Sequence, residues 1–326
     1  MLSRVADSIY WMCRYIERAE NVARFVDVNL NLTLDLSLQE AHQWQPLVVT
    51  TGDSADFVAR YGKATQESVM TFLAFDEANP NSIVSCLKLA RENARTVREI
   101  ISSEMWERVN QFYLMVRAAA ASKSLDSPHA FFTEVKKASH LFAGVTATTM
   151  SHNEGWQFAR MGMMVERADK TARILDVKYF ILLPDVEYVG TPFDVILWSA
   201  LLKSASAFEM YRKRYNRIYP SSVAEFLILD RDFPRSIRHC LIRVEGSLRA
   251  ITGSGPGTFT NSAEQLLGRL RSELDYARID DVIADGLHEF LDTFQAKLNV
   301  FGDAVFDTFF ALRPVPKQTE TNRVQP

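Results

Sequence analysis

Glu17-Arg18 and Glu166-Arg167 each set a carboxylate beside a guanidinium on a stretch with helical spacing. Groups of these types can clamp a carboxylate or phosphate in bidentate fashion, hold an amine, or move a proton. At about 100° per residue, Glu17, Glu20, Asn21, Arg24 and Asp27 share one face of a helix, and Glu166, Asp169, Lys170, Arg173 and Asp176 repeat the arrangement. Glu20 to Arg24 and Asp169 to Arg173 put acid before base four residues apart, the favourable order on a helix. Arg18 and Arg167 point roughly 100° away from their glutamates, towards another helix. A solvated polar face is the simplest source of such a stripe. Its return in the same register in a second, otherwise diverged stretch favours a buried or cleft-lining lattice. That lattice is either an architectural clasp or the lining of a pocket in which Arg24 and Arg173 clamp an anion while Glu17 and Glu166 hold an amine or transfer a proton. Glu-x-x-Glu and Glu-x-x-Asp also occur in di-metal carboxylate bundles, but the His of the Glu-x-x-His signature is missing and arginine on the same face repels a cation. Neither a metal nor another cofactor is expected.

The recurrence extends beyond the two motifs. Ile16 to Val28 matches Val165 to Val177 at an offset of 149 residues, and Ser68 to Leu87 matches Ser222 to Leu241 at an offset of 154. A fainter match pairs His129 to Phe142 with His288 to Phe301. Blocks in the same order with a slowly drifting offset indicate duplication. The expected architecture is therefore an all-α, multi-helix bundle of two tandem diverged repeats, residues 1–150 and 151–312, packed as one unit with approximate internal two-fold symmetry. The tail, 313–326, is expected to be disordered.

Long intervals between the 13 Gly and 11 Pro show apolar residues three and four apart, the helical period. The spacing predicts helices over Ser3 to Asp35, His42 to Tyr61, Thr65 to Phe75, Ser82 to Ile101, Ser103 to Ser122, Pro128 to Met150, His152 to Leu182, Pro192 to Arg217, Ser221 to Leu229, Pro234 to Ile251, Asn261 to Arg278 and Asp281 to Phe310. Met12, Ala19, Ala23, Val26 and Leu30 form the apolar stripe of the first, with alanines that permit close helix approach.

Bulk properties exclude several classes. The chain has 326 residues, 47% apolar and 24% charged, a globular composition. Lys+Arg 37 against Asp+Glu 40 leaves a formal charge of −3, without the broad positive field that non-specific nucleic-acid binding needs. Charges near the N-terminus argue against a signal peptide, and no apolar run approaches the roughly 20 residues of a membrane span, so a cytoplasmic location is expected. Cys13, Cys86 and Cys240 form no Cys-x-x-Cys pair and suit small buried positions.

Five further groups are candidates. Asn93, Arg95 and Arg98 lie on a charged helix whose counterpart keeps Arg249 but has Ser247 and Thr252, so they either contribute to a single asymmetric site or form a solvated face. His152 is too far from Glu166 along one helix to touch it, about 21 Å, and better suits a hydrogen bond at the helix start. Asp76 and Asp230, each four residues before a Pro, suit turns. The basic-aromatic run Tyr211 to Tyr219 suits a helix C-terminus, and Gly253 to Gly257 a connector, since it matches neither a nucleophile elbow nor a phosphate loop.

Tyr10-Trp11, Tyr15 to Glu20, Ser151-His152, Glu154-Gly155-Trp156 and Glu166 to Asp169 together resemble the bacterial Alpha-E family, a helical domain with a characteristic Glu-Arg motif. The resemblance covers nearly the whole chain and maps the motif onto Glu17, Arg18, Glu166 and Arg167. It implies partners of two kinds, circularly permuted ATP-grasp proteins and transglutaminase-like proteins, and a role in peptide or amide-bond synthesis or modification with a peptide or amino-acid ligand. It supplies no catalytic residue. Two other readings stand beside it: a non-catalytic scaffold with a structural Glu-Arg clasp, and an independent hydrolase or transferase using His152 and the motif acids.

Overall fold

A computed structural model describes residues 1–35, 40–122, 127–181 and 191–311, with side chains over 1–32, 44–122, 127–176, 191 and 194–311. The tail expected to be disordered lies outside them. Fifteen α-helices and no strand are found among the described residues.

The first half runs α1 (Ser3–Asp35), α2 (Glu40–Thr51), α3 (Ser54–Tyr61), α4 (Gln66–Met70), α5 (Ile83–Thr96), α6 (Ser103–Ala121) and α7 (Pro128–Thr149). The second runs α8 (Glu154–Ile181), α9 (Pro192–Ser204), α10 (Phe208–Arg214), α11 (Pro220–Leu229), α12 (Ile237–Thr252), α13 (Ser262–Tyr276), α14 (Ile279–Asp285) and α15 (Leu287–Val305). Single π-helical turns, Thr71–Phe75 and Phe306–Phe310, extend α4 and α15.

The predicted elements hold with three breaks. The stretch from His42 divides at Gly52, that from Pro192 divides at Ser206, and that from Asp281 divides at Gly286. The last has φ +109°, a conformation open to glycine and costly for other residues, so the chain turns there instead of continuing the helix.

Helix α1 packs on α8, α5 and α7, while α8 packs on α1, α12 and α15. The central pair approaches closely because the residues between them are small. Ala19, Ala23, Ala168 and Ala172 are fully buried, and a Cβ on Gly162 would lie 2.3 Å from the Tyr10 carbonyl oxygen. Met12 and Val26 join this core, and Leu30 is partly buried. The three cysteines are buried and free. Burial pushes the thiol of Cys13 up to about 12, as it does those of Cys86 and Cys240.

The blocks that match in sequence make like contacts. Ser82 caps α5 by accepting from the Ser85 amide, and Ser236 caps α12 by accepting from that of His239. Asp76 accepts from the Ala78 amide and pairs with Arg60, while Asp230 accepts from the amides of Asp232 and Phe233 and pairs with Arg214. Both aspartates are turn residues, as their spacing to proline predicts.

Candidate functional site

Arg18 and Arg167 do reach another helix: each reaches the motif glutamate of the other. Arg167 donates through Nε to Glu17 Oε1 at 2.8 Å and through Nη2 to Glu17 Oε2 at 2.9 Å. Arg18 donates through Nε to Glu166 Oε1 at 2.7 Å and through Nη2 to Glu166 Oε2 at 3.0 Å. Two fork-on-fork pairs thus cross the α1–α8 seam in opposite senses. Glu17 and Glu20 of α1, and Glu166 and Asp169 of α8, are all buried.

Further cations complete the lattice. Arg14 donates to Glu166 at 2.9 Å, and Lys170 lies 3.6 Å from Glu166 and 3.1 Å from Asp169. Arg173 donates to both Asp169 oxygens at 3.0 Å, and Arg24 pairs with Glu20. Arg235 donates to Glu17 and Asn21 at 3.1 Å and to Glu20 at 2.7 Å. Burial raises the pKa of all four acids, but the guanidinium and ammonium groups outweigh it. Glu17 and Asp169 are held below the ordinary range, and Glu20 and Glu166 well below it. The acids are therefore ionised at neutral pH, which leaves them hydrogen-bond acceptors rather than proton donors.

Sequence reasoning missed Arg14, Arg235 and Asn81. Arg235 and Asn81 each follow the recurring proline, yet Asn81 accepts from Arg18 at 2.7 Å and donates to Asp53 at 2.9 Å, whereas Arg235 feeds three acceptors on α1. The chemical difference within the matching block was the available signal. Further along the helices, Asp27 lies 2.5 Å from both His129 Nδ1 and Lys136 Nζ, and Asp176 lies 2.6 Å from His288 Nδ1. The faint match that pairs His129 with His288 pointed to these contacts.

Other candidates lie outside the lattice. Arg95 is exposed and pairs with Glu92, Arg98 is exposed over the Trp106 ring, and Asn93 is partly buried on the same helix. His152 is exposed, stacked on Trp156 at 4.0 Å, with Nε2 3.1 Å from the Ala147 carbonyl oxygen. It therefore joins the end of α7 to the start of α8. Of four cavities found among the described residues, none is lined by Arg24 or Arg173, and one is lined by Asp169. No group of three or more His, Cys, Asp or Glu among those residues is arranged to hold a metal ion, and no described helix is long and apolar enough to cross a membrane.

An all-α chain joined along its central seam by reciprocal Glu–Arg pairs is the class that this geometry defines. The chain belongs to the Alpha-E family, whose model, described as a predicted alpha-helical domain with a conserved ER motif, matches residues 1–310. It is similar to uncharacterised proteins of Mycobacterium bovis, at 25% identity over 339 residues, and of Mycobacterium tuberculosis H37Rv, at 24% over 339 residues. Each alignment covers 95% of this chain and 37% of the mycobacterial one, so the chain spans under two-fifths of the length of these relatives. No solved structure matches the chain significantly.

Proposed function

We propose that this Alpha-E protein is a helical binding component, not itself the catalyst, of a system that forms or modifies peptide or amide bonds. Its partners are an ATP-grasp protein of the circularly permuted kind and a transglutaminase-like protein. Its repeats, 1–150 and 151–312, form one unit about an approximate two-fold axis. The observation that carries this reading is the reciprocal clasp, in which both oxygens of Glu17 and of Glu166 are already taken by guanidinium groups of the opposite helix. A carboxylate held in this way is poorly placed to shuttle protons or to receive a substrate amine. It fixes the register of two helices, which suits a rigid platform for other proteins.

In the mycobacterial relatives the matching stretch is 37% of a longer chain. Size-exclusion chromatography of this chain with the ATP-grasp protein from the same genome tests the reading. The expected result is co-elution, together with ATP-dependent amide formation that requires both chains. Separate elution, with activity in the ATP-grasp protein alone at its full rate, would refute it.

A further inference from the structure

A cavity opens beside the clasp, lined in part by Asp169 of the predicted stripe and by Tyr10 and Trp11 of the family motifs. It has about 390 Å³ of water-accessible volume and lies between α1, α8, α15 and the π-helical turn that ends α15. Its walls include Trp11 and Phe306, and its polar groups include Arg14, Asn299, Asp303 and Asp169, the last already paired with Lys170 and Arg173. The Arg14 guanidinium stacks 4.7 Å from the centre of the Trp11 ring and spends only Nε on Glu166. Its terminal nitrogens make no further ion pair among the described residues, and the Tyr10 hydroxyl lies close to them. Asp303 is exposed and makes no ion pair among them.

Gly302 also lines the cavity, in the interior of helix α15. Glycine inside a helix costs roughly 0.5–1 kcal/mol relative to alanine, and it is usually explained by a neighbour that leaves no space for a side chain. None exists here, since a Cβ on Gly302 would meet nothing within 4 Å. The match of His129 with His288 puts Ala143 opposite Gly302 and Gly144 opposite Asp303, and the motif offset puts Met163 opposite Arg14. The guanidinium and the carboxylate therefore belong to one side of the molecule, whereas an open helical glycine occurs in both segments, as Gly302 and Gly144. A feature required only for packing two similar halves would recur in both.

We infer that this cavity binds a zwitterion of amino-acid or short-peptide size. Its carboxylate sits on the free edge of Arg14, its ammonium group at Asp303 and Asn299, and its apolar side chain between Trp11 and Phe306. The surrounding charge favours the anionic end at Arg14, because the lattice behind it contains seven cations, Arg14, Arg18, Arg24, Arg167, Lys170, Arg173 and Arg235, against four acids. The inference is independent of partner docking, which a separate measurement reads.

Isothermal titration calorimetry of the full chain with L-phenylalanine and with L-phenylalanylglycine tests it, each probe also being supplied N-acetylated and as the C-terminal amide. Binding of either zwitterion, with at least a tenfold loss for both blocked forms, is the expected result, and the tighter of the two sets the ligand's size. Gly302→Leu fills the cavity from a position with open space and should abolish binding, while the chain melts at or above the wild-type temperature. Asp303→Asn, an exposed change outside the clasp, should weaken the zwitterion about tenfold and remove its advantage over the N-acetyl form. Failure of both zwitterions to bind the wild-type chain overturns the inference, as does undiminished binding to a folded Gly302→Leu chain. Should that variant not fold, equal binding of free and blocked probes to the wild type overturns it.

Discussion

Replacing Glu166 with Gln removes one charge from the middle of the lattice and changes the shape of the side chain very little. Glu166 is fully buried, accepts from Arg14 and Arg18 at 2.7–3.0 Å, and has Lys170 at 3.6 Å. The amide would leave three cations around a neutral group and would turn one acceptor oxygen into a donor facing a guanidinium. Breaking a buried ion pair by removing one partner costs about 3–5 kcal/mol, against about 0–1 kcal/mol for a surface pair. On a domain stability of about 5–15 kcal/mol, a loss of that size is a substantial fraction and shows clearly in urea unfolding at pH 7.

A second readout separates charge from shape. Because the cations hold Glu166 well below the ordinary glutamate value of 4.5, its contribution is full above that value and disappears as the pH falls through its folded-state pKa. The stability gap between Glu166→Gln and the wild-type chain should therefore be constant above pH 4.5 and close on further acidification. A gap below about 1 kcal/mol at pH 7 would place the pair with ordinary surface ion pairs and refute the buried-clasp argument. A gap that stayed constant through acid pH would assign the loss to shape and not to charge.

Two further outcomes test the frame around the clasp. Gly162→Ala forces a methyl group against the Tyr10 carbonyl oxygen, where the added carbon would stand at 2.3 Å, so the central helices must separate; a loss of about 1–3 kcal/mol is expected in thermal or urea unfolding, and an unchanged stability would show the helices free to move apart. The His288 pKa is raised above 6.5, chiefly by its hydrogen bond with Asp176. Its stabilisation is thus present below 6.5 and is lost as the pH rises through the folded value; NMR titration should show Asp176→Asn returning His288 towards 6.5, and an unmoved titration would remove the pair.

Most of the helices were legible because an amphipathic stripe of three and four residues repeats many times in each, so single exceptions do not erase it. The breaks at Gly52, Ser206 and Gly286 were not. Each depends on one or two backbone angles, and the apolar period continues on either side. The burial of the Glu-Arg stripe could be argued from its recurrence, since water-facing charges have little reason to retain both type and register. The partners of Arg18 and Arg167 could not be identified, because helical spacing fixes the direction of a side chain but not the helix that faces it. Arg14 and Arg235 were obscured for the opposite reason. Their counterparts, Met163 and Asn81, are chemically different, so a search for similarity passed over them.

That failure shows how recurrence and departure divide the work of this chain. Residues that recur, such as Glu17 with Glu166, Arg18 with Arg167 and Ser82 with Ser236, join helices or cap them in both halves. Residues that depart break the balance between the halves. Arg235 adds a cation to the α1 acids where Asn81 supplies an amide, and Arg14 carries charge to the cavity edge where Met163 would carry none. Once the recurring residues fix the frame, a departing residue can lose its partner without loosening the seam that both clasps hold. Function is therefore sought where the two matching stretches differ, in the cavity with Arg14 and Asp303 at its edge, while the Glu-Arg pairs that first suggested chemistry hold α1 and α8 in place.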